Sequence, residues 1–141
     1  MSTPKYEVVV GYPADSGEHE GGGITLAELA AIHDLGAPAA GIPARPFLRQ
    51  SVFNRRERYM RGLAADLRRV YAGQATLDYA YGRLALDAAA GVQEEITNPV
   101  PAFVELKPAT VARKGSSTPL IDSGQLRQSV QGIVRRAGET K

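Results

Sequence analysis

Tyr6-Glu7-Val8-Val9-Val10-Gly11-Tyr12 is β-branched and aromatic along most of its length and stops at Pro13, the composition of a short strand. At the far end, Val130-Gln131-Gly132-Ile133-Val134-Arg135 alternates side by side in the period of two that places successive side chains on opposite faces. Strands so distant in sequence share a sheet only when what lies between them folds back over it, so the pairing of these two stretches decides the fold. The expected class is α+β: a small antiparallel sheet including both terminal strands, packed against two longer helices, with an extended proline-rich connector. At 141 residues the chain suits a single domain over 1–141.

The intervening sequence is punctuated clearly. Thr25 offers an N-cap with Glu28 three residues on, the capping-box spacing, ahead of Leu26, Leu29, Ala30 and Ile32, and Gly36 ends that short helix. Residues 37–46 contain Pro38, Pro43 and Pro46 and cannot be continuous helix, because each proline disfavours the helical region in the residue before it. Pro46 suits a first helical turn, and Leu48, Val52, Tyr59, Leu63, Leu67 and Val70 follow at mostly helical steps, predicting one helix to about Tyr71 with an interrupted stripe around Arg55 and Arg56. Thr76 caps a second long helix carrying Leu77, Tyr81, Leu84, Ala88, Val92 and Ile96, which Asn98-Pro99 stops. Residues 100–119 read as irregular, Asp122-Ser123-Gly124 as a turn, and 125–129 as a short helical segment. The glycine-rich stretch 14–23 reads as a loop that orders against a neighbour.

There is no cysteine, which excludes disulfide frameworks, thiolate metal sites and cysteine nucleophiles. The start of the chain lacks the apolar run of a secretory leader, and no stretch reaches the length of a membrane span, so a soluble protein without membrane contact is expected. Tryptophan is absent and aromatics are few, so the core leans on Leu, Val, Ile and Ala, and the modest apolar area favours oligomerisation. Net charge is only +2 but is distributed in blocks: −5 over 1–44, +6 over 45–72, −3 over 73–98 and +4 over 99–141. Such blocks suit subunits meeting head to tail, and they equally suit neutralisation within one monomer.

Signals of chemistry are weak. His19 sits in Glu18-His19-Glu20 without a second histidine at helical spacing, so a metal site is not expected. His33 follows Ile32 on the short helix and reads as a packed or subunit-contact residue rather than a base. Lys114-Gly115-Ser116-Ser117-Thr118 has the wrong order for a phosphate loop. Neither an enzyme nor a cofactor is expected. The arginines of 45–72 are the one feature suited to phosphates, with a solvated or ion-paired face as the alternative.

Taken together, three segments resemble a known family. Thr25-Leu26-Ala27-Glu28-Leu29-Ala30-Ala31-Ile32-His33-Asp34-Leu35-Gly36 leads into Ile42-Pro43-Ala44-Arg45-Pro46-Phe47-Leu48-Arg49, and Lys107-Pro108-Ala109-Thr110-Val111-Ala112-Arg113-Lys114-Gly115 leads into Pro119-Leu120-Ile121-Asp122-Ser123-Gly124-Gln125-Leu126-Arg127-Gln128-Ser129-Val130, which closes the set. This combination resembles the neck and tail-completion proteins of tailed bacteriophages, also grouped as virion-morphogenesis or tail-component proteins. The resemblance implies a non-enzymatic ring at the head–tail junction, six-fold and homo-oligomeric, touching head-connector and tail-tube or tail-terminator proteins, with DNA passing through its channel. It implies a place in the virion neck, and in the host cytoplasm during assembly. Its motif positions here are His33, Pro43, Arg45, Pro46, Phe47, Asp122, Gly124, Leu126 and Arg127. Among them, Arg45 on its stiff segment would take a carboxylate through two parallel hydrogen bonds, Phe47 would anchor the connector in the core, and Asp122 would cap the turn before Leu126. The competing readings are a tail terminator or tail-tube component, a DNA-binding protein using the arginine-rich helix, and a hydrolase using His33.

Overall fold

The computed structural model describes residues 5–15, 17, 25–37, 39, 41, 43–100 and 124–136. Along these run β1 (Tyr6–Gly11), α1 (Leu26–Leu35), α2 (Phe47–Asn54), α3 (Arg56–Tyr71), α4 (Leu77–Thr97), α5 (Gly124–Ser129) and β2 (Gln131–Arg136). The expected α+β class is what the structure shows. β1 and β2 pair antiparallel, Tyr6 opposite Arg136, Val8 opposite Val134 and Gly11 opposite Gln131, and the ion pair of Glu7 with its cross-strand partner Arg135 reinforces that register.

A two-stranded sheet is marginal by itself, and here it lies on α4. Gly132 makes this possible: a β-carbon there would overlap the backbone of Ala85, so only glycine lets strand and helix approach so closely. At the outer end Tyr6 stacks on Tyr81 with ring centroids 4.9 Å apart, and its hydroxyl donates to Asp78. The small residues along α4, Ala80, Ala85, Ala88 and Gly91, are all buried, which brings its neighbours near. Gly91 has no room for a β-carbon because the Tyr59 hydroxyl and the Arg55 side chain lie against it.

The caps form where the sequence places them. Thr25 Oγ1 accepts from the Glu28 amide at 3.1 Å, Thr76 Oγ1 accepts from the Tyr79 amide at 3.1 Å, and Gly36 ends α1 at φ +76°, a left-handed conformation suited to glycine. The expected single helix to Tyr71 is instead two, broken at Arg55 (φ −112°, ψ +11°). The inward row is Phe47, Ser51, Arg55 and Tyr59, at steps of four, whereas Val52 is 43% exposed. The apolar residues therefore do not mark the buried side there, and the chain turns where a guanidinium is drawn inward. Within the proline connector, Gly41 turns at φ +71°, so that segment is not uniformly extended.

The core gathers Leu26 and Ala30 of α1, Phe47 of α2, Val92 and Ile96 of α4, Leu126 of α5, and Val130. Phe47 and Leu126 are fully buried. Tyr12 closes this cluster from the end of β1: its ring meets Phe47 edge-on at 6.2 Å and its hydroxyl donates to the Leu126 carbonyl at 2.5 Å. Burial pushes its phenol above the usual range. The turn expected at Asp122 and the irregular stretch before it lie outside the described residues, as does most of the glycine-rich loop.

Candidate functional site

The motif positions converge on one end of the fold. The backbone of the last turn of α1 docks on the connector, with the Arg45 amide donating to the His33 carbonyl at 2.7 Å. Pro46 then stands before α2 and gives that helix no side-chain cap. The vacancy is filled from α1. Asp34 Oδ1 accepts from the Leu48 amide at 3.0 Å, and Oδ2 accepts from Arg49 Nε at 3.0 Å. Arg49 Nη2 also donates to the Asp34 carbonyl at 2.7 Å. A carboxylate at a helix N-terminus meets both open amides and the positive end of the helix dipole, and Asp34 is 7% exposed. Sequence reading missed it because the cap comes from a residue far outside the helix; the available signal was a proline-led helix start with no Ser, Thr, Asp or Asn of its own.

Of the other motif positions, His33 is half-buried on α1 and Pro43 is exposed. Gly124 opens α5, and Arg127 is exposed while its carbonyl accepts from Gln93 Nε2 at 3.0 Å. Asp122 lies outside the described residues. The structure thus brings His33, Arg45, Pro46, Phe47 and Leu126 to one end of the molecule, where Phe47 and Leu126 share a core.

Arg45 departs from expectation. It is not held out for a partner but is 6% exposed, its Nε has no hydrogen-bond acceptor, and it makes no ion pair among the described residues. Desolvation lowers its pKa from the usual guanidinium value. The nearby acid in sequence, Asp34, is already committed to α2 and Arg49.

The arginine block divides into two populations. Arg49 pairs with Asp34, Arg55 with Glu94 and Glu95, and Arg58 with Asp87 and Glu94. These links tie α2 and α3 to α1 and α4 and neutralise part of the block within the monomer. Glu95 is their centre: 1% exposed, it accepts from Arg55 Nη1 at 2.6 Å, the Val100 amide at 2.6 Å, Gln50 Nε2 at 2.8 Å and Asn54 Nδ2 at 3.3 Å. Burial acts to raise its pKa, but those hydrogen bonds together hold it below the usual carboxylate value. Arg56 stacks over Phe53 and Arg69 over Tyr79. Arg61 and Arg68 are exposed and make no ion pair among the described residues. Seven residues apart on α3, they lie about 10 Å from each other on the side opposite buried Tyr59.

Along the sheet runs a groove of about 610 Å³ lined by residues including Val9, Tyr12, Asp15, Ile133 and Arg135. Its charged side chains are Asp15 and Arg135, the latter paired with Glu7. Among the described residues no group of three His, Asp or Glu side chains is placed to hold a metal ion, and no helix is long and apolar enough to cross a membrane. Comparison with protein-family models, with curated proteins and with solved structures gives no match.

Proposed function

We propose that the chain is a non-enzymatic structural protein of a tailed-bacteriophage virion, forming a homo-oligomeric ring, six-fold in symmetry, at the head–tail junction and acting in head–tail joining or tail completion. Its partners are then copies of itself, head-connector proteins and tail-tube or tail-terminator proteins. The observation that carries this reading is the convergence of the motif segments: residues as far apart as Leu26, Phe47 and Leu126 enter one core, so the sequence combination that resembles the neck family corresponds to one structural unit. In that unit Phe47 and Leu126 set the packing, while Pro43 and Arg127 stay at the surface for contact.

The test is the mass of the full chain in solution at micromolar concentration, alone and mixed with head-connector and tail proteins. A ring, or a monomer that becomes one on a connector or tail, supports the reading and tells a neck position from a tail-terminator or tail-tube position. A monomer indifferent to both refutes it.

A second reading, a DNA-contacting surface on α3, is favoured by the outward Arg61 and Arg68. It requires affinity for duplex DNA that falls steeply with salt and weakens when both residues are changed to Gln. The same surface would serve a ring whose channel admits DNA.

A further inference from the structure

Helix α3 carries a second row of apolar side chains beside the one it buries. Tyr59, Leu63, Asp66 and Val70 form its inner row, with Tyr59 and Asp66 buried. Met60, Ala64, Leu67 and Tyr71 each directly follow an inner residue, so they repeat its spacing about 100° round the helix, over about 16 Å. The ends of this row stand in solvent: Met60 is 63% and Tyr71 92% exposed. Phe53, also exposed, extends it through Arg56, whose guanidinium lies 4.0 Å over the Phe53 ring. Among the described residues α3 packs chiefly on α4 and adjoins α2, which leaves those ends uncovered. Aromatic residues, Met and Arg are enriched at protein interfaces, whereas a phosphate backbone offers Phe53 and Met60 no apolar surface to bury against.

Charge indicates what covers the row. Arg61 and Arg68 directly follow Met60 and Leu67 and so border it on the side away from the inner row; both are exposed and make no ion pair among the described residues. With five arginines on α3 against Glu57 and Asp66, the fitting occupant is acidic. α1 is the complement: it holds Glu28 and Asp34 and no lysine or arginine. Its exposed face is Glu28, Ala31 and Leu35, at steps of three and four, with Leu35 64% exposed and Glu28 in no ion pair among the described residues. That face is about 10 Å long, the same span as Arg61 to Arg68. We propose that the α3 row of one copy seats this α1 face of a second copy, Ala31 and Leu35 against the apolar row and Glu28 beside Arg61 and Arg68. The inference rests on the ring reading above and names the contact between neighbouring copies. Because the two faces belong to different helices, the interface is heterologous and repeats head to tail, as a ring requires.

Two variants of the full chain each block one side of the contact. Met60→Glu sets a negative charge in the row against Glu28 of the second copy, and Leu35→Lys sets a positive one on the α1 face against Arg61 and Arg68. Both positions are exposed, so each variant melts close to the natural chain. Sedimentation over a concentration series then shows self-association weakened by about 30-fold or more in each. Mixed one to one, the two variants regain a single sound contact, between the α1 face of the Met60→Glu chain and the α3 row of the Leu35→Lys chain. The expected product is a heterodimer that does not grow, because its outer faces are both blocked.

Either variant associating like the natural chain overturns the proposal and leaves Arg61 and Arg68 to the DNA reading. A mixture that stays monomeric, or one that grows past the dimer, overturns the pairing of these two faces. A variant that unfolds at a much lower temperature overturns it as well, because that face would then be serving the subunit itself. In each of these cases the ring reading still stands or falls on the mass of the natural chain. A natural chain that stays monomeric at every concentration overturns the proposal too, and binding to connector and tail proteins then decides the neck reading separately.

Discussion

Replacing Glu95 by Gln tests the polar junction that holds α2 and α3 to α4. Two donors face each carboxylate oxygen: Arg55 and Asn54 on Oε1, Gln50 and the Val100 amide on Oε2. A glutamine presents one oxygen and one amino group, so in either orientation two donors meet a third donor. The Arg55 guanidinium, whose side chain is 14% exposed, keeps only the exposed Glu94 as a partner. Breaking a buried pair from one side costs about 3–5 kcal/mol. Because Glu94 remains, the lower end applies, about 3 kcal/mol, or a melting temperature lower by roughly 10 °C for a chain of this size. Chemical and thermal unfolding followed by circular dichroism measure it. A loss below about 1 kcal/mol would show that the junction is dispensable and would refute the reasoning.

The same substitution carries a pH signature. Because the folded pKa of Glu95 lies below its unfolded value near 4.5, the unfolded chain takes up the proton first as pH falls. The stabilisation is fully present above that value and is lost as pH falls through the folded pKa. The natural chain therefore loses stability more steeply in acid than the Gln variant, and the two curves converge at low pH.

Two further substitutions probe the positions that set the fold. Gly132→Ala forces a methyl group onto the Ala85 backbone and should cost about 3 kcal/mol, at the upper end of overpacking because neither strand nor helix can yield independently; denaturant titration showing a change under about 0.5 kcal/mol would deny the close approach. Asp34→Ala opens the amide end of α2 and removes the carboxylate partner of Arg49, which keeps only its bond to the residue 34 carbonyl, with an expected loss of about 2 kcal/mol and faster hydrogen exchange at the Leu48 and Arg49 amides; exchange unchanged at those amides would mean the cap is not made in solution.

The elements that could be read from sequence are those whose determinants are local. β1, β2 and the Thr25, Thr76 and Gly36 helix ends each follow from residues within the element or one turn of it. The break at Arg55 was not readable in the same way, because the apolar pattern pointed to Val52 while the inward row runs through Ser51 and Arg55. Arg55 is tolerated inside because Glu95, on another helix, faces it. The Asp34 cap is likewise a tertiary contact between helices, invisible to a rule that searches only the start of α2. The expectation for Arg45 failed for a related reason: flanking prolines fix the backbone of a connector, but they do not decide whether the side chain between them turns outward or in.

The charge blocks admitted two readings from sequence, neutralisation within the monomer or attraction between subunits, and the structure assigns part of the basic block to the first. Arg49, Arg55 and Arg58 consume Asp34, Asp87, Glu94 and Glu95, acids contributed by α1 and α4, and what they accomplish is the attachment of α2 and α3 to the rest of the fold. The remainder is not a uniform surplus. Arg45 is buried with no ion pair among the described residues, Arg61 and Arg68 face solvent, and Asp15, Glu28 and Glu57 are left on the surface. Exposed unpaired charges are inexpensive in water, so Arg61 and Arg68 impose no demand on the fold. Arg45 does, and the demand grows with its desolvation.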